Sequence, residues 1–314
     1  MRPEVVTEYA VQTAGSYQQV LAVARWAEQR GLAAFALPDH YLASTSGDRA
    51  AEPAYDAFAQ MAGLARETSR IRLVLLVAPV TFRHPAVLAK NAVTIHEMSG
   101  GRFTLGVGTG WLEAEHDLFG IDFPSRSERF ERTEEALGYL RASFSPDGPG
   151  FEGAFYQLAP RPVAPVPDHR FGLVVGGTGS HRTPTLAGSY ADEFNVFPAP
   201  PEEMMARIAR AREAAVAAGR DPEGLLISSS GQVLVGHDRD DYERRFQERA
   251  ESVGATAEEL EEHFRPRNTP RGSAEEVRAI LAGMEEVGVK RFYVQSLFGP
   301  EIPSIEETLE LIGI

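Results

Sequence analysis

Short apolar runs alternate with longer amphipathic stretches along most of this chain. The run Ile71–Val77 (IRLVLLV) is continuously apolar, which is typical of a parallel strand that is buried on both faces. The stretch Ser16–Arg30 instead repeats apolar residues at helical spacing, and Ser16 with Gln19 forms a capping box at its start. The pattern therefore predicts a regular succession of strands and helices.

Eight segments have the length and composition of strands. They are Val5–Val11, Ala34–Leu37, Ile71–Val77, Phe103–Val107, Phe171–Val175, Glu193–Phe197, Leu225–Val235 and Lys290–Ser296. The segments between and after them predict helices over Ser16–Arg30, Tyr55–Thr68, Pro85–Met98, Ser125–Phe144, Pro184–Tyr190, Glu202–Ala218, Asp240–Glu251, Ala257–Phe264 and Ser273–Val287, and a last helix capped by Ser304 with Glu307. Such alternation predicts a parallel α/β sheet with right-handed crossovers, either closed into a barrel or open and doubly wound.

The closed barrel is the favoured architecture. No GxGxxG motif follows the first predicted strand, which argues against a dinucleotide-binding open sheet, and no change in composition divides the chain into halves. We therefore expect one (β/α)8 TIM-barrel domain over residues 1–314. The Pro- and Gly-rich segment Ser145–His169 predicts an excursion after the fourth βα unit. The polar helices Asp240–Glu251 and Ala257–Phe264 predict a helical insertion before the last helix.

Composition narrows the possible chemistry. The chain has no cysteine, which excludes disulfides, thiolate metal sites and a catalytic thiol. Its net charge of −14 opposes nucleic-acid binding, which needs a basic face. No apolar run reaches the ~20 residues of a membrane helix, and the N-terminus lacks a signal-peptide core, so we expect a soluble cytoplasmic protein. Lysine occurs only at Lys90 and Lys290.

Two predicted loops carry titratable side chains, and in a barrel of this kind chemistry occurs in the loops that follow the strands. Asp39 and His40 directly follow the second strand, where a carboxylate beside an imidazole can transfer a proton or orient a ring. A helix cap with a solvated histidine would explain them equally well. The segment Phe82–His84 follows the third strand, and it could line a site or form only a turn before Pro85.

Two glycine-rich loops could bind an anion through backbone N–H groups. They are Gly106–Trp111 (GVGTGW) and Gly176–Gly179, the second of which is followed by Arg182. The segment Glu113–Asp117 is rich in acidic residues and could be no more than an exposed acidic turn. The eight histidines are scattered, and neither an HExxH nor a GxSxG motif occurs, so we expect no metal and no serine hydrolase.

Several motifs occur together in an order that resembles a known superfamily. They are PDHY, SRIRLVLLVAPVTFRHPAVLAKNAVTIHEMSGGRFTLGVGTGW, ERFERTEEAL, VVGGTGS and YADEFNVF. From about Val5 to Leu311 the chain resembles the bacterial luciferase-like monooxygenases, and more narrowly their actinobacterial coenzyme F420-dependent oxidoreductases. The resemblance implies a (β/α)8 barrel that binds F420 and transfers a hydride to or from a small organic substrate. It also implies a homodimer.

The resemblance assigns roles to individual residues. It implies that Asp39 and His40 lie beside the cofactor ring. Our hypothesis is that His40 exchanges a proton with the substrate, while Asp39 sets its tautomer or contacts the ring. Segment Leu76, Val77 and Ala78 corresponds to a bulge behind the ring, often with a non-proline cis peptide. Implied cofactor contacts also include Gly106, Gly108, Thr109, Gly110, Gly176, Gly177, Thr178 and Gly179. Candidate walls of the substrate pocket are Tyr41, Phe82, Trp111 and His116. The chain departs from many relatives at Leu37-Pro38, where they have Val-Ser or Ile-Ser.

Three alternatives remain open. The first is an FMN-dependent monooxygenase of the same superfamily that uses O2, and the second is a non-catalytic barrel that binds flavin or deazaflavin. The third is a metal-dependent isomerase or lyase barrel. The anionic tail of F420 would need basic side chains near the barrel mouth. The candidates for that contact are Arg49, Arg83, Arg161, Arg170 and Arg182.

Overall fold

Eight parallel strands close into a barrel in this computed structural model, which describes residues 8–43, 54–167, 170–265, 268–295 and 300–314. With four further strands outside the barrel (β5, β6, β10 and β11), the strands in the described ranges are β1 (Glu8–Gln12), β2 (Ala34–Leu37), β3 (Arg72–Pro79), β4 (Phe103–Gly108), β5 (Phe151–Glu152), β6 (Gln157–Leu158), β7 (Leu173–Gly177), β8 (Glu193–Val196), β9 (Leu226–Gln232), β10 (Leu234–Gly236), β11 (Arg271–Ser273) and β12 (Arg291–Gln295). The order around the barrel is β1, β12, β9, β8, β7, β4, β3, β2. The predicted (β/α)8 barrel is confirmed.

Helices cover the outside of the barrel. They are α1 (Tyr17–Arg30), α2 (Ala57–Glu67), α3 (Pro85–Met98), α4 (Glu113–Phe119), α5 (Arg126–Ser143), α6 (Arg182–Tyr190), α7 (Pro201–Ala217), α8 (Arg239–Ser252), α9 (Ala257–Phe264), α10 (Ala274–Glu286) and α11 (Ile302–Ile312). The predicted capping box of Ser16 and Gln19 is confirmed, and Ser273 with Glu276 forms another. None of the helices in the described ranges combines the length and the apolar character that crossing a membrane requires.

Three predicted elements need correction. The single strand Leu225–Val235 is wrong, because the chain leaves the barrel after β9 and β10 pairs instead with β11 in a separate parallel pair. The cap at Ser304 is also wrong: α11 begins at Ile302, and its first turn contains a proline, which needs no N–H there. Helix α4 was not predicted at all, although Gly120 ends it in the left-handed conformation that glycine favours.

The predicted excursion and insertion are present. The excursion contains the antiparallel pair β5–β6. Its predicted last residue, His169, lies outside the described residues. The first three residues of the predicted strand Val5–Val11 also lie outside them. The insertion consists of α8 and α9, which pack around their own small apolar cluster with β10. Both features lie outside the closed barrel and leave its strand order intact.

The barrel interior is filled differently at its two ends. In the middle, inward-facing Ala36, Val74 and Tyr293 belong to one small apolar cluster. At the amino end of the strands, buried Arg291 donates to Glu193 (2.8 Å) and to Glu8 (2.6 Å), so charged side chains close the interior there. The loops that follow the strands surround the carboxyl end of the barrel, and the candidate site lies there.

Candidate active site at the carboxyl end of the barrel

A histidine and a glutamate from two different loops form a hydrogen-bonded pair. His40 follows β2, and its Nδ1 lies 2.9 Å from Oε1 of Glu115, which is in the first turn of α4. The other carboxylate oxygen of Glu115 accepts the backbone N–H of Tyr41 at 2.8 Å. Glu115 is buried, whereas 32% of the His40 side chain is exposed. A carboxylate that accepts from Nδ1–H leaves Nε2 as the nitrogen available to a ligand.

Asp39, the neighbour of His40, belongs to a second network. Both of its oxygens accept hydrogen bonds from Arg83, and its side chain has no exposed surface. Arg83 also donates to Asp56 (2.6 Å) and to the Tyr41 hydroxyl (2.7 Å). The guanidinium lies over the ring of Phe58 as well, 4.6 Å from its centroid. The network therefore ties the loop after β2 to the loop after β3 and to the start of α2.

Asp39 does not set the tautomer of His40. Consecutive residues of extended backbone point in opposite directions, and Asp39 turns inward to Arg83 while His40 turns towards α4. The contact that orients the imidazole comes from Glu115 instead. Asp39 is also inaccessible, so this structure does not present it to a cofactor ring.

Burial and charge shift the pKa values of the acidic groups in this network in different directions. Burial raises the pKa of Asp39, although the Arg83 guanidinium opposes the effect, and neighbouring Asp56 raises it further. The pKa of Asp56 itself is lowered, because the Ala59 N–H and the Arg83 guanidinium together outweigh its partial burial. Burial also raises the pKa of Tyr41 to about 12, so its phenol remains protonated at neutral pH.

The four proposed pocket residues lie around the pair formed by His40 and Glu115, but they differ in how far each is buried. Tyr41 stacks on Phe82 with ring centroids 4.7 Å apart, and Phe82 contacts His116 at 5.0 Å. His116 is fully buried, and its ring nitrogens bond to the Leu112 carbonyl oxygen (2.8 Å) and the Thr81 hydroxyl (2.7 Å), so it supports the loop from behind. Trp111 is 69% exposed and meets the His40 ring edge-on at 5.7 Å.

The end of β3 carries the expected bulge. The register against β4 shifts between Leu75 and Ala78, and the Leu76–Val77 peptide bond is cis. A Cβ on Gly106 would lie 2.2 Å from the Leu75 carbonyl oxygen, and one on Gly108 would lie 2.7 Å from a methyl group of Val77. These two glycines therefore make room for the bulge itself. This is a packing role, whereas the sequence suggested that the glycines let the backbone approach a ligand closely. Thr109 and Gly110 follow them at partly exposed positions.

The second glycine loop leads into α6. Gly176 and Gly177 end β7, partly exposed, and a Cβ on Gly179 would lie 2.6 Å from the Thr183 hydroxyl in the first turn of α6. No side chain caps this helix, and Thr178 on the loop is exposed. An uncapped helix start after a glycine loop is suited to binding a phosphate or another anion.

The four candidate arginines that the structure describes do not converge. Arg83 is committed to Asp39 and Asp56, and Arg170 pairs with Asp192 (2.6 Å) before β7, at the amino end of the barrel. Arg161 lies in the excursion, and Arg49 lies outside the described residues. Arg182 is the candidate that adjoins the α6 start, where it lies 4.8 Å from the centroid of the Phe130 ring.

Sequence reasoning missed two contributors to the site. Glu115 was interpreted as part of an exposed acidic turn, and Asp56, which caps α2, was not considered. The signal for Glu115 was the short segment before Gly120, which folds as α4 and turns one of its acids inwards. The described residues contain no group of three or more His, Asp or Glu side chains arranged to hold a metal ion.

Comparisons with known proteins identify the family and the fold of the chain. The profile of a family described as luciferase-like monooxygenase matches residues 3–296. A pyrimidine monooxygenase, RutA, from Bradyrhizobium sp. strain BTAi1 is 32% identical over 143 residues, which are 44% of this chain and 38% of that protein. The chain spans about half or less of the length of the curated relatives that it matches.

Solved structures share the fold at low sequence identity. An F420-dependent secondary alcohol dehydrogenase in complex with an F420–acetone adduct superposes with a TM-score of 0.78 at 21% identity, covering 98% of this chain and all of that one. A type II Baeyer–Villiger monooxygenase from Pseudomonas putida in complex with FMN gives a TM-score of 0.70 at 17% identity, covering 98% and 97%.

Proposed function

Because the chain belongs to the luciferase-like monooxygenase family, we propose that it is an oxidoreductase that transfers a hydride between coenzyme F420 and a small organic substrate. The observation that carries the proposal is the hydrogen bond between Nδ1 of half-exposed His40 and buried Glu115. A bound deazaflavin supplies the hydride chemistry, and the protein supplies position and proton handling. Moving a hydride to or from a hydroxyl-bearing carbon leaves one proton to be moved, which calls for an acid–base group at the mouth.

His40 is the residue suited to move that proton. Its Nδ1–H is held by Glu115, so proton exchange takes place at Nε2. The Glu115 carboxylate is itself fixed by the Tyr41 N–H, so it holds the imidazole in one orientation. Trp111, edge-on to the imidazole, adds an aromatic wall beside the position where a substrate would lie.

The chain has a place that fits the phosphate of such a cofactor. The uncapped start of α6 offers backbone N–H groups next to exposed Thr178 and partly exposed Gly179. Arg182, in the first turn, is exposed, and its long hydrogen bonds to Ser127 (3.4 Å) leave the guanidinium free to approach an anion. Thus, the residues present fit a phosphate-bearing ring cofactor, and this fit holds for FMN as well as for F420.

The alternative function is an FMN-dependent monooxygenase that uses O2. It is favoured by the names of the curated relatives, which are pyrimidine monooxygenases at 30–32% identity. A third possibility is a barrel that binds the cofactor without catalysis. The pairing of His40 with Glu115 supports a catalytic role over that third possibility, because a binding wall has no need of an oriented imidazole.

Titration of the purified protein with F420 and, separately, with FMN tests the proposal. Cofactor fluorescence follows each titration. We expect F420 to bind at least about tenfold more tightly than FMN, a difference in binding free energy of about 1.4 kcal/mol. Tight binding of FMN with no saturable binding of F420 would make the monooxygenase the better assignment. Failure to bind either cofactor would contradict both.

A further inference from the structure

A second cavity lies on the outer wall of the barrel. It is open to solvent and has a volume of about 470 Å³ between α3, α5 and the chain that follows β6. Its lining consists of Ala86, Ala89, Lys90, Tyr139, Ser143, Gln157, Leu158, Ala159, Arg161, Pro162, Val163 and Ala164. None of these residues belongs to the site at the barrel mouth. The volume falls within the range of about 300–1,000 Å³ that small-molecule sites occupy.

The charge of this cavity is opposite to that of the whole chain. Lys90 and Arg161 line it, and no Asp or Glu does, although acidic residues outnumber basic ones by 45 to 31 in the sequence. The Lys90 ammonium donates one hydrogen bond to the Ala164 carbonyl oxygen, which leaves two of its three protons for another acceptor. Arg161 forms no ion pair with any residue in the described ranges. The cavity therefore attracts an anion.

A buried hydroxyl without a partner points to the same conclusion. Ser143 is only 3% exposed, lines the cavity and has no hydrogen-bond partner for its Oγ among the described residues. Buried polar atoms are almost always paired, because an unpaired one loses its hydrogen bonds to water without replacement. Ser143 and Lys90 also line a smaller adjoining cavity, so the two residues lie beside the same space.

Most of the remaining lining residues are apolar, apart from Tyr139 and Gln157. Ala86 and Ala89 on α3 face Leu158, Pro162 and Val163 of the excursion across the cavity. We propose that the cavity is a second binding site, distinct from the active site, for a small carboxylate with a short aliphatic chain. Lys90 and Arg161 hold the carboxylate, the Ser143 hydroxyl donates to it, and the aliphatic chain lies against the apolar wall.

The scarcity of lysine allows a direct test. Biosynthetic labelling with ¹³Cε-lysine leaves the ammonium protons in place and labels only Lys90 and Lys290, so a ¹³C spectrum contains few signals. Titration with hexanoate is expected to shift the Lys90 signal saturably, with a Kd of about 1 mM or tighter, and to leave the Lys290 signal unchanged. Hexan-1-ol, which lacks the charge, and sulfate, which lacks the aliphatic chain, are expected to produce smaller shifts.

Variants then separate the contributions. Lys90→Met and Arg161→Met should each weaken hexanoate binding about tenfold in calorimetry, whereas Lys290→Met, the matched control, should leave it unchanged. Ser143→Ala should weaken it less and should not lower stability, because it removes an unpaired hydroxyl. Equal shifts of Lys90 and Lys290, equal response to sulfate and hexanoate, or unchanged affinity in Lys90→Met would each overturn the proposal. The titration of the native sequence keeps it falsifiable if a variant fails to fold.

Discussion

Two ion-pair groups, around Asp192 and around Asp39, lie at opposite ends of the barrel and differ in the number of hydrogen-bond donors that each carboxylate has. At the amino end, Asp192 accepts from Arg141 (2.7 Å), Arg170 (2.6 Å) and the Leu173 N–H (2.9 Å), so several donors share one carboxylate. At the mouth, the arrangement is reversed, and the single guanidinium of Arg83 is shared by Asp39 and Asp56.

This difference in donor number explains the opposite pKa shifts. The pKa of Asp192 is lowered, because its cationic and backbone donors outweigh its burial. The pKa of Asp39 is raised, because burial outweighs one shared guanidinium and Asp56 adds repulsion. The amino end is thus built for stability. The mouth holds its charges at a cost in stability, and the adjacent His40 remains partly exposed to a ligand.

Replacement of His40 tests the functional side of this comparison and has the largest expected effect. If His40 moves the proton, His40→Ala lowers turnover about 10²–10⁴-fold and leaves cofactor affinity and Tm nearly unchanged. The matched control is His237→Ala, at an exposed histidine far along the chain. Steady-state kinetics with a cofactor-binding titration make the measurement. Turnover equal to that of the control would remove His40 from the mechanism.

Removal of Arg83 tests whether the mouth network depends on one cation. Arg83→Met leaves buried Asp39 without the guanidinium that pairs with it in the described part of the chain, so we expect the free energy of unfolding to fall by about 3–5 kcal/mol. Arg244→Met, which breaks exposed ion pairs on α8, should leave the free energy of unfolding almost unchanged. Urea unfolding at neutral pH measures both. A loss in Arg83→Met no greater than in the control would mean that Asp39 is neutral there.

Packing at the mouth is tested by an added methyl group. The Cβ of Gly106→Ala would lie 2.2 Å from the Leu75 carbonyl oxygen, so the β3 bulge must move, and we expect a loss of about 1–3 kcal/mol. Gly283→Ala is the control, because no atom lies within 4 Å of its Cβ in the middle of α10. That change should instead stabilise the protein by about 0.5–1 kcal/mol. Equal thermal stability of the two variants would contradict this account of the glycine.

The smallest expected effect is on the pH dependence of stability. Because the folded-state pKa of Asp192 lies below 3.8, its contribution is present above that pH and is lost as the pH falls through the folded value. For Asp39, with a raised pKa, stability present below pH 3.8 is lost as the pH rises through the folded value.

Between about pH 3 and 5, stability should therefore rise less steeply with pH in Asp192→Asn than in the unmodified protein, and more steeply in Asp39→Asn. Unfolding by urea at several pH values gives these slopes. Slopes that change in the same direction in both variants would show that the two pairs are not electrostatically opposite.

Local sequence patterns predicted most elements of the barrel. The apolar runs placed its eight strands, and the caps at Ser16, Ser125 and Ser273 placed three helix starts, because these signals depend on neighbours within a few residues. The same dependence explains the errors. The strand predicted over Leu225–Val235 becomes apolar again at Val233–Val235 after a serine-rich stretch, and nothing in these residues shows that β10 pairs with β11 outside the barrel.

In the candidate site too, some features follow from local sequence and others depend on contacts between distant residues. The sequence by itself determined the barrel, the loops that carry Asp39 and His40, and the absence of cysteine chemistry. Only the tertiary structure decided that His40 pairs with Glu115, 75 residues away, while Asp39 pairs with Arg83. The reason is geometric, since closing the barrel brings distant strand ends to one rim, and extended backbone turns adjacent side chains in opposite directions.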